Sequence, residues 1–426
     1  MYETEQKPDK TIIIAAAIKG TNRDTVNDNL QELKLLCETA GCDVVLKMTQ
    51  ELPKINKATC IGSGKIEELK NIIIEKDIKI IVFDDELSPM QNRNLTKELK
   101  IRVMDRSEII IDIFAKHAKS QEAKTQVEVA HLQYMLPRLT RLWTHLSKQY
   151  GGVGTYAKGP GETQIETDRR LVRNRIQFLK EKLKEIEVQK HTQRKGRDEL
   201  TRFALVGYTN AGKSTLMKAL TQSDVYIEDQ LFATLDTTVR VFELPSREKA
   251  LLSDTVGFIH KLPTHLIASF RSTLAEVQEC EFIVHVIDTS HPNFMNHIQV
   301  VDNTLAHLGI TKQPIIHVFN KLDLLEEYYI LERLEKEFAN SIFISAKNNL
   351  NIDKLLDKFT ELNSNLSKII ELFIPYSKMN LINKVYNYSE VIERQDTDSG
   401  IALKLKVKTE HLDLFKNIYS EFYNKK

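Results

Sequence analysis

Residues 203–215, FALVGYTNAGKST, join an apolar strand-like run to a glycine-containing turn and the start of a helix-forming segment. Within them, residues 207–214 satisfy the pattern G-x-x-x-x-G-K-[ST], in the strand–turn–helix context that the pattern requires. Backbone N–H groups of such a turn, at the N-terminus of a helix, bind phosphate oxygens. The stretch therefore predicts a P-loop in an α/β fold. The predicted phosphate contacts are Gly207, Tyr208, Thr209, Asn210, Ala211, Gly212, Lys213 and Ser214.

Two side chains of this turn have predicted chemical roles. The Lys213 ammonium is expected to reach the β- and γ-phosphates of a nucleotide, where it would stabilise developing negative charge. The Ser214 hydroxyl is expected to bind Mg²⁺. We therefore predict Lys213 as a catalytic residue and Ser214 as a metal ligand.

Two later segments indicate which base is bound. Residues 318–325, VFNKLDLL, place Asn320, Lys321 and Asp323 at the end of an apolar run, and residues 344–347, ISAK, place Ser345, Ala346 and Lys347 at the end of another. An aspartate carboxylate accepts hydrogen bonds from the N1–H and N2–H₂ groups of guanine, whereas adenine lacks that pair of donors. Following a P-loop in this order, the two segments predict GTP and GDP as ligands.

Two segments in between have the positions of nucleotide-dependent switches. In residues 253–263, SDTVGFIHKLP, Asp254 and Gly257 have the D-x-x-G spacing found beside a γ-phosphate, and Thr255 and Val256 are assigned to the same contact set. Residues 229–241, DQLFATLDTTVRV, lie where a switch I loop is expected. Its predicted contacts are Phe232, Ala233, Thr234, Leu235 and Asp236. Thr234 is the predicted Mg²⁺ ligand and second catalytic residue, with Thr237 and Thr238 as competing choices.

Strand and helix patterns divide the chain into four predicted domains. Residues 1–106 alternate apolar strands with helical segments, which is typical of a parallel α/β sheet. Residues 107–199 form a predicted antiparallel helical hairpin with a glycine-rich tip, and residues 107–143 are expected to be helical without a break. Residues 200–366 form a predicted P-loop GTPase (G) domain with a mostly parallel sheet. Residues 367–426 form a predicted small α+β domain, with strands at 369–375 and 401–408 and a helix at 410–423.

The predicted hairpin has a characteristic seam, charge and tip. Residues Val172, Ile176, Leu179, Leu183 and Ile186 recur at the three- and four-residue spacing of a helix that packs along one stripe. Residues 138–197 carry fifteen Lys and Arg against six Asp and Glu, although the whole chain has a net charge of +1. Such a concentration of positive charge favours a polyanionic partner, and a solvated coiled-coil surface is the alternative. We predict Arg169, Arg170 and Arg173 as RNA contacts.

Composition excludes several classes of protein. Apolar residues make up 42% of the 426 residues and charged residues 28%, which is typical of a chain that forms a core in water. We expect no transmembrane segment and no secretory signal. The four cysteines have no C-x-x-C spacing, which favours buried thiols in a reducing cytoplasm over disulfides. We expect a cytoplasmic monomer.

The combination of motifs resembles the HflX family of ribosome-associated GTPases. The resemblance rests on residues 159–170, GPGETQIETDRR, followed by GYTNAGKST, FATLD and DTVGFIHKLPTHLIASFRSTLAEV, and it covers about residues 10–366. QVEVAHLQYMLPRLTRLW and IGSGKIEEL also match. The resemblance implies that the large ribosomal subunit and its rRNA are partners, and that stalled or idle ribosomes are separated or rescued.

The resemblance also bears on catalysis. Many guanine-nucleotide switches have a glutamine after Gly257 to orient the attacking water, but this chain has Phe258. HflX-like proteins belong to the GTPases with an apolar residue there, which implies slow intrinsic turnover and activation by a partner. The alternative is that Phe258 is a core residue beside the switch. Asn210 has two interpretations, a ligand position of a K⁺-activated GTPase or an ordinary turn asparagine.

A second nucleotide site is a weaker expectation. Residues 62–65, GSGK, resemble half of a P-loop before a helix, and HflX-like proteins have been associated with ATP at this domain. A plain helix N-terminus is the alternative. For the whole chain, the rivals to a ribosome-binding GTPase are a P-loop nucleotide kinase and a nucleic-acid-binding scaffold that uses GTP structurally.

Overall fold

The computed structural model describes residues 8–139, 164–194, 200–221, 231–232, 238–263, 266, 275–325, 329–338, 341–413 and 415. These fall into two compact units, residues 1–241 with 251–350, and residues 242–250 with 351–426. Among the described residues, no helix combines the length and the apolar character needed to cross a bilayer. The four predicted domain boundaries remain predictions.

The first sheet confirms the predicted parallel α/β fold. Its strands are β1 (Asp9–Ile18), β2 (Cys42–Leu52), β3 (Ile80–Phe83) and β4 (Arg102–Asp105), all parallel and in the order β2-β1-β3-β4. The connecting helices are α1 (Arg23–Thr39), α2 (Ser63–Lys76) and α3 (Pro89–Leu99). Buried aliphatic side chains cover both faces of the sheet, as expected when crossover helices lie on each side.

The segment after β4 differs from its prediction as one helix. It forms α4 (Arg106–His117) and α5 (Gln121–Met135), separated at residues 118–120. The Ser120 hydroxyl accepts a hydrogen bond from the Ala123 backbone N–H at 3.0 Å, so it caps α5. A serine that satisfies the exposed N–H groups of a new helix is a start signal, and the prediction overlooked it.

Helix α6 (Gln164–Arg194) packs on α5 along the predicted seam. Ile176 and Leu179 are buried against Val129 and Leu132, with Val172 and Leu183 at the margin. Arg175 pairs with Glu128 at 2.8 Å, and Arg169 donates to the Leu139 carbonyl at 3.3 Å. Since the residue numbers run in opposite directions along the contact, the two helices are antiparallel. The glycine-rich tip at residues 151–161 lies outside the described residues.

The second sheet has six strands in the order β10-β9-β8-β5-β7-β6. They are β5 (Thr201–Gly207), β6 (Thr238–Glu243), β7 (Lys249–Asp254), β8 (Phe282–Asp288), β9 (Ile315–Asn320) and β10 (Ile342–Phe343). The pairs β5–β8, β8–β9 and β9–β10 are parallel. The described helices around them are α7 (Lys213–Thr221), α8 (Ala275–Glu279), α9 (Phe294–His307) and α10 (Tyr329–Glu337). Strands β5, β7, β9 and β10 therefore bring the predicted motifs to one edge, where parallel sheets bind ligands.

The second unit has a core of its own. Helix α11 (Ile352–Asn365) leads into β11 (Ser367–Pro375), followed by α12 (Ile382–Tyr388), β12 (Ser389–Thr397) and β13 (Gly400–Lys408). The strands form an antiparallel sheet in the order β11-β13-β12. Strand β12 and helix α12 were not predicted. Most of the predicted helix at residues 410–423 lies outside the described residues.

Candidate nucleotide site

The P-loop occupies the turn between β5 and α7. Gly212 has φ +92°, and a Cβ atom on it would lie 2.3 Å from Nδ2 of Asn320. Glycine is therefore required here both for the backbone conformation and for the close approach of Asn320. Asn210 lies at the exposed end of the turn with φ +59°. This left-handed conformation, which asparagine tolerates, fits its interpretation as a turn residue.

Asn320 joins the three predicted nucleotide motifs. Its side-chain amide donates to the Ala211 carbonyl of the P-loop at 2.8 Å. Its side-chain oxygen accepts from the Ala346 backbone N–H at 2.9 Å. The residue is 2% exposed, so both bonds lie in the interior, where an unsatisfied amide would be costly. One asparagine thus fixes the base-recognition loops against the phosphate-binding turn.

The remaining base-recognition residues lie beside it. The Ser345 hydroxyl donates to Oδ1 of Asp323 at 2.5 Å, which orients the carboxylate. Lys321, in the left-handed conformation at φ +63°, pairs with Asp288 at 2.8 Å. Lys347 is exposed at the same edge. Asp288 was not predicted, although it ends the strand next to β9 and the carboxyl ends of parallel neighbours meet at one edge.

Lys213 is buried at the first turn of α7. Its ammonium donates to the carbonyl oxygens of Gly207, at 3.1 Å, and Tyr208, at 2.8 Å. Burial lowers the pKa of this lysine to about 8, although the Asp254 carboxylate opposes the shift. The group is therefore positioned inside the phosphate turn with its proton held less tightly than usual.

The predicted metal ligands on α7 and β7 are adjacent. The Ser214 hydroxyl donates to Oδ2 of Asp254 at 2.8 Å, and Asp254 is 1% exposed. A hydroxyl and a carboxylate at the phosphate-binding turn are hard oxygen donors, which suit Mg²⁺. The residues present therefore fit this ion.

The segment after Asp254 directs its side chains away from the phosphate turn. Thr255 donates to the Leu205 carbonyl at 2.7 Å, and Val256 is buried in a cluster shared with the first sheet. Phe258 is 2% exposed and packs with residues of β5, α8 and α9, as its interpretation as a core residue expects. The side chains of Thr255, Val256 and Phe258 therefore have partners in the protein interior.

Switch I is described only at its start. The Phe232 ring packs edge-on against Phe114 of α4, with centroids 4.7 Å apart. Its side chain is therefore part of a hydrophobic cluster with the first sheet's helices. The predicted contacts Ala233, Thr234, Leu235 and Asp236, and the competing Thr237, lie outside the described residues. Thr238 begins β6.

Two further predicted sites are the RNA contacts on α6 and the GSGK turn at the start of α2. On α6, Arg170 and Arg173 are exposed, whereas Arg169 is half-buried and bonded to the Leu139 carbonyl. At the start of α2, the Gly62 N–H donates to the Gln50 side chain at 2.9 Å, and Lys65 pairs with Glu68 at 2.9 Å. The Gly62 N–H and the Lys65 ammonium therefore already have partners within the protein.

Three family models match consecutive parts of the chain. Residues 27–115 match a GTP-binding GTPase N-terminal region, residues 117–197 a GTP-binding GTPase middle region, and residues 202–321 a 50S ribosome-binding GTPase. The last match contains the P-loop, Asp254, Gly257 and Asn320.

Curated proteins match the chain along most of its length. The chain is 43% identical to GTPase HflX of Flavobacterium psychrophilum, over 91% of this chain and 97% of that protein. It is 41% identical to GTPase HflX of Caldanaerobacter subterraneus subsp. tengcongensis, over 98% and 95%. Among solved structures, a complex of SsGBP with GDP is 26% identical, with a TM-score of 0.47, and covers 84% of this chain and 99% of its own.

Proposed function

The chain belongs to the HflX family of GTPases, and from this premise we propose that it hydrolyses GTP on the large ribosomal subunit and separates or rescues stalled ribosomes. The observation that carries the proposal is the linkage of the P-loop to a guanine-recognition pocket through Asn320. The similarity of residues 202–321 to a 50S ribosome-binding GTPase supports the choice of partner.

The roles of the residues follow from their positions. The Asp323 carboxylate, oriented by Ser345, accepts hydrogen bonds from guanine, which selects GTP over ATP. The P-loop backbone holds the phosphates, and Lys213 stabilises the negative charge that develops as the γ-phosphate leaves. No glutamine follows Gly257, so a partner must supply the group that accelerates hydrolysis. Loss of such a group lowers the rate by about 10³–10⁵-fold.

Mg²⁺ is part of this proposal. Ser214 would hold the ion directly, Asp254 would support it through a water molecule, and Thr234 would be its second protein ligand. The ion would neutralise charge between the β- and γ-phosphates.

A requirement for K⁺ at Asn210 is tested by comparing the rates of phosphate release in KCl and in NaCl. Equal rates in the two salts would exclude a K⁺ requirement.

The basic helix α6 is the proposed RNA contact. Arg170 and Arg173 lie one turn apart on its exposed surface, and the helix belongs to the same compact unit as the nucleotide site. Exposed arginines at this spacing can bind adjacent phosphates of an RNA backbone. The partner proposed for this surface is therefore rRNA of the large subunit.

ATP binding at the first domain remains a prediction. Because Gly62 and Lys65 have partners within the protein, ATP would have to displace both. Calorimetric titration with ATP of the wild type and of Lys65→Met tests it, and equal heats for the two proteins would remove this site. The predicted monomer is tested by light scattering.

The deciding experiment measures phosphate release from GTP with and without large subunits, and subunit separation on sucrose gradients. We expect slow release alone, strong stimulation by large subunits, and no release by Lys213→Ala. Lys218→Ala, an exposed lysine on the same helix, is the matched control and should behave as wild type. Phosphate transfer to an acceptor would favour a kinase, and GTP binding without release would favour a scaffold.

A further inference from the structure

The first domain and the adjoining helix α4 contact both switch segments of the GTPase domain through charged and aromatic side chains. Lys261, four residues after Gly257, pairs with Asp84 and Asp85 at the end of β3, each at 2.5 Å. Phe232 at the start of switch I packs on Phe114 of α4. These contacts join residues that are more than 100 positions apart in the chain.

A buried network connects the same domain to the P-loop. Arg106 is 2% exposed and pairs with Asp84 at 2.8 Å and with Glu32 of α1. Glu32 also accepts a hydrogen bond from the Tyr208 hydroxyl. Burial opposes the ionisation of Asp84, but Arg106 and Lys261 together hold the pKa of its carboxyl below the usual value. Both cations therefore favour the ionised form of the buried Asp84 carboxyl.

Tyr208 extends this network to the backbone of the second switch. Its hydroxyl accepts a hydrogen bond from the His260 N–H at 2.8 Å while it donates to Glu32. Its ring stacks on His297 of α9, with centroids 3.8 Å apart. We call the six residues that link the first domain to the P-loop and to residues 257–261 the clasp: Glu32, Asp84, Asp85, Arg106, Tyr208 and Lys261.

Residues 257–261, which the clasp joins to the first domain, lie directly against the P-loop. The Phe258 N–H donates to the Gly207 carbonyl at 3.0 Å, and the Thr209 N–H donates to the Phe258 carbonyl at 2.8 Å. A Cβ atom on Gly257 would lie 2.9 Å from Cγ2 of Thr209 and 3.1 Å from Nζ of Lys213. A phosphoryl group is larger than a methyl group. A γ-phosphate beside Gly257 therefore requires that the Lys213 side chain or residues 257–261 shift.

We propose that the clasp sets the preference of the site between GTP and GDP, with Tyr208 and Lys261 as the positioning residues. Switch segments of GTPases change position with the γ-phosphate. A γ-phosphate that displaces residues 257–261 strains or breaks the clasp, whereas GDP places no group beside Gly257. The clasp thus lowers the affinity for GTP relative to GDP, by the free energy needed to open it.

The test measures dissociation constants of the full chain for GDP and for the slowly hydrolysed analogue GTPγS. For Lys261→Met, which keeps the aliphatic stem, we expect GDP affinity to stay unchanged and the GTPγS-to-GDP affinity ratio to rise about threefold, as suits a partly exposed ion pair. For Tyr208→Phe, which keeps the ring, we expect the ratio to rise about three- to tenfold. Lys70→Met is the matched control, because Lys70 pairs with Glu67 and Glu98 on the surface of the first domain.

Two further readouts separate positioning from general destabilisation. Asp85→Asn should raise the same ratio by less than Lys261→Met, because it removes only one of the two ion pairs of Lys261. The double variant should have the same ratio as Lys261→Met alone, since the Asp85 pair is already lost in that variant. Exchange of the His260 amide hydrogen should be faster with GTPγS than with GDP in the wild type, and equally fast in Tyr208→Phe. An unchanged ratio in Lys261→Met and Tyr208→Phe overturns the proposal. So does an equal loss of affinity for both nucleotides, or a raised ratio in Lys70→Met.

Discussion

At the scale of single residues, the proposed guanine pocket depends on short polar contacts around two side chains. Asn320 fixes the pocket to the P-loop, and Asp323 is oriented by Ser345 at 2.5 Å. Because these contacts are buried or half-buried, replacing an acceptor by a donor leaves groups unsatisfied as well as removing a bond. Asp323 is itself exposed, so a substitution there should change base specificity more than stability.

The substitution Asp323→Asn should exchange guanine for xanthine specificity. The amide presents a donor where the carboxylate accepted, so GDP affinity should fall by on the order of a hundredfold and xanthosine diphosphate affinity should rise. Fluorescence titration with both nucleotides measures this. Asp357→Asn, at an exposed position on α11, is the control. Equal losses for both bases would place the base elsewhere.

The pKa of Lys213 predicts how nucleotide binding varies with pH. Burial lowers this pKa to about 8, and bound phosphates should raise it again. Above pH 8, binding must therefore take up a proton, and GDP affinity should fall by up to about tenfold per pH unit. Guanosine is the control, since it shares the titrating base but lacks phosphates. The same pH dependence for guanosine would show that Lys213 is not responsible.

At the scale of secondary-structure elements, helix α6 and strand β8 differ in how much of their surface is exposed. Helix α6 buries a narrow stripe against α5 and leaves its arginine-bearing surface exposed. Strand β8 lies inside the six-stranded sheet and is buried along its whole length except its last residue. The exposed surface of α6 can therefore contact a binding partner, whereas burial of β8 contributes to the stability of the fold.

Neutralising Arg169, Arg170 and Arg173 to Gln should weaken binding to large ribosomal subunits. Each lost phosphate contact flattens the dependence of log affinity on log salt by about 0.7–0.9, so the slope should fall by about 2 to 3. Co-sedimentation across a salt series measures it. Lys76, Lys79 and Lys100, exposed on the first domain, provide a control triple with the same charge change. Equal slopes for wild type and the arginine triple would move the RNA contact off α6.

His285 of β8 predicts a loss of stability in mild acid. Burial, with smaller contributions from His317 and Lys213, lowers its pKa to about 3. Between that pH and the unfolded value near 6.5, the unfolded chain binds more protons. The contribution of neutral His285 to the free energy of unfolding is therefore complete above about pH 6.5. It decreases toward pH 3, by at most about 1.4 kcal/mol per pH unit.

The substitution His285→Leu should remove this contribution. The fall in thermal unfolding midpoint between pH 7 and pH 5 should then be smaller than in the wild type. His307→Leu changes an exposed histidine at the end of α9 and should retain the wild-type dependence. A His285→Leu variant with the wild-type dependence would assign the effect to other groups.

At the scale of the whole molecule, the described nucleotide-site residues belong to one compact unit. The P-loop, Asp254, Gly257, Asn320, Asp323 and residues 345–347 all lie in the first unit. The second unit has its own core, formed by residues of β11, β13 and α12. Nucleotide binding and the strands after residue 366 are therefore separable.

Truncation after Leu366 should leave GDP affinity within about twofold of the wild type, because no proposed contact is removed. The second unit would lose the partner of Glu248, which pairs with Lys406, so a lower thermal midpoint is expected. GDP titration and thermal unfolding measure the two effects. A large loss of GDP affinity with the fold retained would assign part of nucleotide binding to the last three strands.

The sequence by itself determined the parts of this protein that are encoded in contiguous residues. The P-loop, the Asn320 and Ser345 motifs and the seam of α6 each depend on local spacing, which the backbone turns directly into geometry. The parallel sheets followed from the alternation of apolar strands with helices. The start of α5 at Ser120 was also a local signal, and it was overlooked because the helical composition continues across it.

Only the tertiary structure decided which distant side chains meet. Tyr208 and Glu32 are 176 residues apart and Lys261 and Asp84 are 177 apart. No periodicity relates such positions, and their pairing depends on how the first sheet lies on the GTPase domain. The orientations of Phe232 and Phe258 are likewise set by tertiary packing. Phe232 packs with the helices of the first sheet, and Phe258 packs with β5, α8 and α9. Local chemistry thus predicted a candidate nucleotide site, whereas long-range packing produced the clasp that we propose controls its preference.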